Sequence, residues 1–86
     1  MRQYIQLHPD DNVVVALCRF QKHDVIDTVF GPLRLLEDIP PYFKVAMRDI
    51  TKEDRIIKYG MCIGTSTENI IRGQLVHTHN ICSNYL

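Results

Sequence analysis

Two histidines separated by a single residue, His77 and His79, are the side chains of this sequence best suited to metal or acid–base chemistry. They lie in the stretch Leu75–Asn80, which predicts a β-strand, and alternate side chains of a strand point to the same face of a sheet. Neutral imidazole is a good ligand for first-row divalent metals. We therefore predict that the two rings stand side by side.

The histidine pair does not make a metal site by itself. A catalytic site usually has three protein ligands and one open position, so a further donor must come from elsewhere in the fold or from another chain. His8 is one candidate, although the Pro9-Asp10-Asp11 that follows it favours a turn. The simpler alternative is that one ring packs beside Leu75 and Ile81 while the other is solvated.

Length and composition limit the classes of protein to consider. With 86 residues, one hydrophobic core is near its lower limit, so we expect a single domain over residues 1–86 that benefits from a partner surface. Ten Lys and Arg balance ten Asp and Glu without blocks of either sign, which argues against nucleic acid or a membrane as partner. No signal segment or membrane span is evident. Three scattered cysteines, Cys18, Cys62 and Cys82, favour the cytoplasm over a disulfide framework.

Short runs rich in Val, Ile, Tyr, Phe and Thr alternate with turn-forming residues, which predicts a mostly β domain. The predicted strands are Asn12–Phe20, Val25–Phe30, Leu33–Leu36, Phe43–Ile50, Arg55–Ile63 and Gln74–Ile81. The one helical candidate, Thr65–Ile71, has the spacing of a capping box and is ended by Gly73. Gly60 and Gly64 are predicted to serve a turn or a close backbone approach.

A short unit recurs along the chain as an apolar residue, a polar turn and a strand. It occupies Asp49–Ile56, returns at Asn69–Val76, and is present more faintly at Arg19–Ile26. A chain that repeats such a unit builds its core from packed hairpins and can leave strand edges free for a partner.

Four segments carry a resemblance to a known family, namely His8–Leu17, Lys44–Ile50, Ile57–Gly64 and Val76–Asn80. With Lys-Tyr-Gly followed by Ile-Gly and then His-x-His-Asn, the chain resembles the SAF domain of the altronate and galactarate dehydratase family. The resemblance covers nearly the whole chain. It implies a small β-clip fold with at most one short helix.

The resemblance also implies a function. Family members remove water from sugar acids such as altronate or galactarate to give 2-keto-3-deoxy acids, with a divalent metal, usually Fe²⁺ or Mn²⁺. This domain would be the small subunit or the N-terminal domain beside a large catalytic subunit, and the end of the chain six residues after Asn80 favours a separate subunit or an excised domain. One alternative is the small subunit of a sulfolactate sulfo-lyase. Another is a non-catalytic binding or scaffold module, and self-association is left open.

The implied chemistry assigns roles to particular side chains. Removal of the proton next to a carboxylate builds negative charge that must be stabilised, while an acid assists the departing hydroxyl. The resemblance implies that His77 and His79 line the active site as metal ligands or acid–base groups. This small domain supplies only part of the catalytic set.

Substrate binding is assigned by the same resemblance to Lys58, Tyr59, Lys44 and Asn80. The lysines and the tyrosine would face the carboxylate and hydroxyls of the sugar acid, and Asn80 would hydrogen-bond locally or to substrate. Lys58 has the alternative of a solvated ammonium over an apolar surface, and Tyr59 that of a core aromatic.

Two features depart from the family. Family members commonly carry Gly-His-Lys before the Val/Ile-Ala run, whereas this chain has Tyr42-Phe43-Lys44. A benzene ring neither binds a metal nor transfers a proton, so Phe43 implies an altered substrate, reduced activity or a structural role. Turns that usually contain Gly-Glu have His23-Asp24 and Glu53-Asp54 instead. Because Glu53 has a Cβ, we expect a locally different turn there, without a positive φ.

Overall fold

The computed structural model describes residues 4–5, 9–28 and 31–83. Within these ranges nine strands follow one another: β1 (Tyr4–Ile5), β2 (Val13–Ala16), β3 (Val25–Thr28), β4 (Gly31–Arg34), β5 (Lys44–Ala46), β6 (Arg55–Lys58), β7 (Met61–Ser66), β8 (Leu75–Val76) and β9 (Ile81–Ser83). The ranges contain no helix, and so none that could cross a bilayer. The predicted mostly β fold class is confirmed.

Three small antiparallel sheets make up the domain. The central sheet has the strand order β1-β2-β5-β8, while β3 pairs with β4, and β7 lies between β6 and β9 in the third sheet. Side chains alternate between the two faces of a strand, so neighbouring residues of β2 and β5 enter different hydrophobic clusters. Val14 and Val45 belong to one cluster, and Val13 and Ala46 belong to the other.

We call these clusters core A and core B. Core A joins one face of the central sheet to the β3-β4 hairpin and consists of Val14, Ala16, Phe20, Ile26, Leu33, Leu35, Ile39, Val45 and Met47. Core B joins the other face to the β6-β7 hairpin and consists of Val13, Ala46, Ile50, Ile56, Ile70 and Val76. The central sheet is therefore covered on both sides by hairpins.

The repeated unit predicted from the sequence is present, and it occurs four times in the described part of the chain. Each copy starts with an apolar residue in an isolated bridge, and the bridges pair Phe20 with Ile39 and Ile50 with Ile70. Each continues into a turn in which one residue has a positive φ. These residues are His23 (78°), Tyr42 (70°), Glu53 (75°) and Gly73 (96°). The copies around Phe20 and Ile39 supply core A, and those around Ile50 and Ile70 supply core B.

The expectation of a different turn at Glu53 is wrong, because Glu53 adopts the same left-handed conformation as its counterparts. The backbone N–H of Glu53 donates to the Ser66 carbonyl at 2.9 Å, and that of Asp54 donates to the Thr51 carbonyl at 2.9 Å. The Asp54 carboxylate in turn accepts the Thr51 N–H at 3.1 Å. A left-handed conformation costs a residue with a Cβ roughly 1–2 kcal/mol, and these hydrogen bonds offset that cost.

The helical candidate Thr65–Ile71 is also wrong. Thr65 and Ser66 belong to β7, and the Ser66 hydroxyl donates to the Thr51 carbonyl at 2.6 Å. Ile70 is buried in core B at its bridge. Strand pairing satisfies the backbone groups here, and burial of Ile70 overrides the local capping signal.

Two predicted strands are divided by turns that hydrophobic alternation does not reveal. Arg55–Ile63 consists of β6, a hairpin loop and the first half of β7, and Gln74–Ile81 contains β8, a turn and the start of β9. The roles predicted for two glycines are confirmed: Gly60 has a φ of 73°, and a Cβ on Gly64 would collide with the Cys82 carbonyl oxygen.

Replacing Glu53 with Gly is expected to stabilise the chain. Glycine removes the left-handed penalty but makes the unfolded chain more flexible, so the net gain is about 0.5–1 kcal/mol. Chemical denaturation measures it. The matched control is Gly73→Ala, which places a Cβ against the Arg34 carbonyl oxygen in the equivalent turn and should destabilise. A loss of stability in Glu53→Gly would contradict the analysis of this turn.

Candidate functional site

The hairpin tip between β6 and β7 carries two of the predicted substrate-binding residues. Lys58 pairs with Met61, so Tyr59 and Gly60 form a two-residue loop. Both have a positive φ, 57° and 73°, which is the signature of a type I′ turn. The Lys58 ammonium lies 4.7 Å from the centroid of the Tyr59 ring, within cation–π range. Tyr59 is 44% exposed, so it is not a core aromatic.

Lys44 opens β5, and its cross-strand neighbours are Val15 and Val76. By strand alternation it shares a face with Ala46, the face that the β6-β7 hairpin covers. Partial burial lowers the pKa of the Lys44 ammonium, and the nearby charge of Lys58 lowers that pKa further. We refer to Lys44 and Lys58 as the lysine pair.

Neither member of the lysine pair forms an ion pair with a carboxylate of the described residues. The charge that acts on Lys44 is the positive charge of Lys58. Two ammonium groups that repel one another, one of them half-buried, disfavour the charged state of Lys44. Such an arrangement is suited to an anionic ligand, because the anion supplies the missing charge.

The structure places His77 and His79 in a turn, so the prediction that they share a strand face is wrong. Strand β8 ends at Val76, and the backbone N–H groups of Asn80 and Ile81 both donate to the His77 carbonyl, at 3.0 and 3.2 Å. This turn breaks the alternation that would align the two rings. Both histidines are exposed.

Asn80 is the residue that organises this turn. Its side chain is buried, and its amide oxygen accepts the backbone N–H of His77 at 2.9 Å. Its amide nitrogen donates to the Leu75 carbonyl at 2.8 Å. Of the two roles predicted for Asn80, the structure shows the local hydrogen bonds, through which Asn80 holds His77 in place.

The ring that lies against His77 is that of Phe43. The two ring centroids are 4.6 Å apart and the planes are tilted by 35°. Lys44 pairs with Val76, so the residues just outside this pair, Phe43 and His77, meet at the edge of the sheet. Phe43, which stands where the resemblance implies a histidine, therefore faces the first of the two histidines. Strand register produces this contact, and register was not available from the sequence pattern.

The donors within the described ranges do not fit a complete metal site. No three His, Cys, Asp or Glu side chains in those ranges are grouped closely enough to hold a metal ion. His8, the candidate third donor, lies outside the described residues. Cys18, Cys62 and Cys82 form no disulfide within the described part of the chain. A metal in this region would need ligands beyond the described residues.

These observations define a small antiparallel β module that presents a lysine pair and an exposed imidazole at its surface. The chain matches the family model described as the altronate/galactarate dehydratase SAF domain over residues 2–84. It belongs to this family, as the sequence motifs indicated.

Curated relatives agree with the family. The chain is 33% identical over 84 residues, 98% of its length, to an altronate dehydratase of Bacillus subtilis (strain 168). It is 37% identical over 82 residues, 95% of its length, to an altronate dehydratase of Escherichia coli (strain K12). The chain spans only 17% of the length of each of these enzymes.

A shorter relative shares part of the chain. The (2R)-sulfolactate sulfo-lyase subunit alpha of Chromohalobacter salexigens is 40% identical over 43 residues, which is 50% of this chain and 46% of that subunit. At least half of this chain therefore has a counterpart in proteins whose names describe two different eliminations.

Replacing Asn80 with Ala is expected to destabilise the chain by about 1–3 kcal/mol, because a partly buried N–H and a partly buried carbonyl both lose their partner. Chemical denaturation measures the loss. Asp24→Ala serves as the comparison, since it removes a hydrogen bond from an exposed turn, and its loss should be smaller. Equal stability of Asn80→Ala and the parent would contradict the role of Asn80 in the turn.

Proposed function

We propose that this domain binds the substrate carboxylate in a sugar-acid dehydratase of the altronate or galactarate type. It acts as the small subunit or the N-terminal domain of that enzyme. The remaining part of the enzyme supplies most of the catalytic groups, in keeping with the 17% share that the chain has of its dehydratase relatives. The reaction is the elimination of water to give a 2-keto-3-deoxy acid.

The lysine pair is the observation that carries this proposal. Burying an ammonium beside a like charge is unfavourable, and ionisable groups perturbed in this way cluster at functional sites. A carboxylate between Lys44 and Lys58 would remove the repulsion and accept charge-assisted hydrogen bonds. The exposed Tyr59 hydroxyl would bind a hydroxyl group of the same substrate.

The same charges assist the chemistry. When the proton next to the carboxylate is removed, negative charge spreads onto the carboxylate oxygens, and ammonium groups already in place stabilise it without reorganising. His77, held by Asn80 and Phe43, would transfer a proton as an acid–base group, and His79 lies close by in the chain. The Fe²⁺ or Mn²⁺ that the family implies is assigned chiefly to ligands in the rest of the enzyme.

Sulfite elimination from sulfolactate is the second candidate, and the similarity to a sulfo-lyase subunit favours it. Its substrate also carries a carboxylate, so the lysine pair would serve both reactions. Phe43 favours a third possibility, a binding module without catalysis. An assay of the enzyme that contains this domain, against hexonates, aldarates and sulfolactate, separates the three.

Replacing Lys44 with Met is expected to stabilise the chain and to impair the enzyme. In the unfolded chain Lys44 has its ordinary pKa of 10.5, and in the fold that pKa is lowered, so the cost of its charge is present at neutral pH and disappears as the pH rises past 10.5. The thermal midpoint of Lys44→Met should therefore exceed that of the parent at pH 7, and the two should converge at high pH. In the enzyme, losing one charged hydrogen bond of about 1.5–3 kcal/mol lowers kcat/KM roughly 10- to 100-fold.

Lys52→Met is the matched control for this substitution. Lys52 is exposed in a turn, so its replacement should change stability by less than about 0.5 kcal/mol and leave kcat/KM unchanged. If Lys44→Met kept full kcat/KM in the enzyme, the carboxylate role of the lysine pair would be wrong.

Replacing His77 with Ala in the enzyme is expected to lower kcat by roughly 100-fold or more, the usual contribution of an acid–base group. Steady-state kinetics with a fixed sugar acid measures the effect. His79→Ala tests the second ring separately, because the two histidines lie in a turn and do not share a strand face. Unchanged kcat in both variants would remove the imidazoles from the mechanism.

A further inference from the structure

Asn12, the residue just before β2, forms hydrogen bonds with strand β6 next to Lys58. The backbone N–H of Asn12 donates to the Ile57 carbonyl at 3.2 Å, and its side-chain oxygen accepts the Ile57 N–H at 2.8 Å. Its side-chain nitrogen donates to the Arg55 carbonyl at 2.8 Å. One asparagine thus binds three backbone groups of β6, as a neighbouring strand would.

These bonds fall where β6 is least regular. The pairing of β6 with β7 shifts between Ile56 and Ile57, which marks a bulge. A bulge interrupts the hydrogen-bond ladder and lets the strand bend. Asn12 holds the strand at this point, immediately before Lys58.

The other end of the hairpin tip is held by Asp11. A carboxylate oxygen of Asp11 accepts the backbone N–H of Gly60 at 2.8 Å. Asp11 is 1% exposed and Asn12 is 8% exposed, and both lead directly into the buried Val13 of core B. Hydrogen bonds shielded from water in this way are stronger and more rigid than surface ones.

The turn needs such support because of its conformation. A left-handed φ in a bulky aromatic residue is unfavourable by about 1–2 kcal/mol, and Tyr59 has a φ of 57°. The bond from Gly60 to Asp11 offsets part of that cost. Without it, the loop is free to relax and to move the Lys58 ammonium away from Lys44.

We propose that Asp11 and Asn12 are positioning residues that hold Lys58 and Tyr59 in the geometry required to bind a carboxylate. This inference rests on the proposed function of the lysine pair. Neither side chain need touch the substrate, since both act through the backbone on either side of Lys58 and Tyr59. A purely structural role for Asp11 would affect stability alone.

The kinetic test uses the whole enzyme that contains this domain. Asp11→Ala should raise KM for the sugar acid roughly 10-fold, the equivalent of one hydrogen bond, and should also lower kcat, because a displaced Lys58 stabilises the developing charge less well. Asp11→Asn keeps an oxygen that accepts the Gly60 N–H, so it should restore KM to within about 2-fold of the parent. Unchanged KM in Asp11→Ala would overturn the inference, provided that Lys58→Met raises KM.

Two comparisons separate positioning from general destabilisation. Asp24→Ala removes a similar bond, from the Gln21 N–H to a carboxylate at 2.8 Å, in the exposed turn before β3, and KM should not change. In a Lys58→Met background, Asp11→Ala should have a smaller effect on KM than in the parent, because the part of its effect that acts through Lys58 is already lost. Full additivity of the two substitutions would contradict the inference.

A measurement independent of activity distinguishes failure of this inference from failure of the proposed function. Hydrogen–deuterium exchange of the peptide that contains Lys58 to Met61, measured in the whole enzyme, should speed up several-fold in Asp11→Ala, while a peptide around the Phe20 bridge stays unchanged. If Lys58→Met leaves KM unaltered but exchange responds, Asp11 positions the loop and the carboxylate role is wrong. If exchange does not respond, the positioning role is overturned.

Discussion

Val13 and Val14 of β2 are each only 1% exposed, although they are neighbours in the chain and point to opposite faces of the sheet. The central sheet must therefore be covered on both sides, and a chain of this size can do so only by folding hairpins back over each face. The β3-β4 hairpin encloses core A, and the β6-β7 hairpin encloses core B. The other features of the domain follow from this two-sided burial.

A repeated bridge-and-turn unit covers both faces of the central sheet. Among the described residues, four copies of one unit place an apolar residue at a bridge and then reverse the chain through a left-handed residue, so equivalent turns recur on both sides of the sheet. Gly73 suits that conformation, whereas His23, Tyr42 and Glu53 adopt it at a cost. Tertiary hydrogen bonds hold the unfavourable turns, which shows that the packed sheet dictates turn geometry here rather than the turn residues themselves.

The functional proposal depends on the residues at the tip of the β6-β7 hairpin, which covers core B. The type I′ turn presents Lys58 and Tyr59, and Lys44 in β5 completes a lysine pair in which neither ammonium forms an ion pair with a described carboxylate. At the start of the same strand β5, Phe43 packs against His77. An apolar ring therefore forms the immediate surroundings of one of the two exposed imidazoles.

Much of this protein was determined by local sequence. Short β-branched runs between turn formers specify strands, the recurrence of Asp49–Ile56 at Asn69–Val76 specifies repeated hairpins, and Gly60 indicates a turn, because these features depend on neighbours a few residues away. Strand register and long-range hydrogen bonds lie beyond that reach. Only the tertiary structure decided that Phe43, and not His79, would be the partner of His77, and that Asn80 would be buried in a turn. The reason is that such contacts are set by which strands pair and how both faces of one sheet are covered, a balance of burial across the whole chain that no local pattern records.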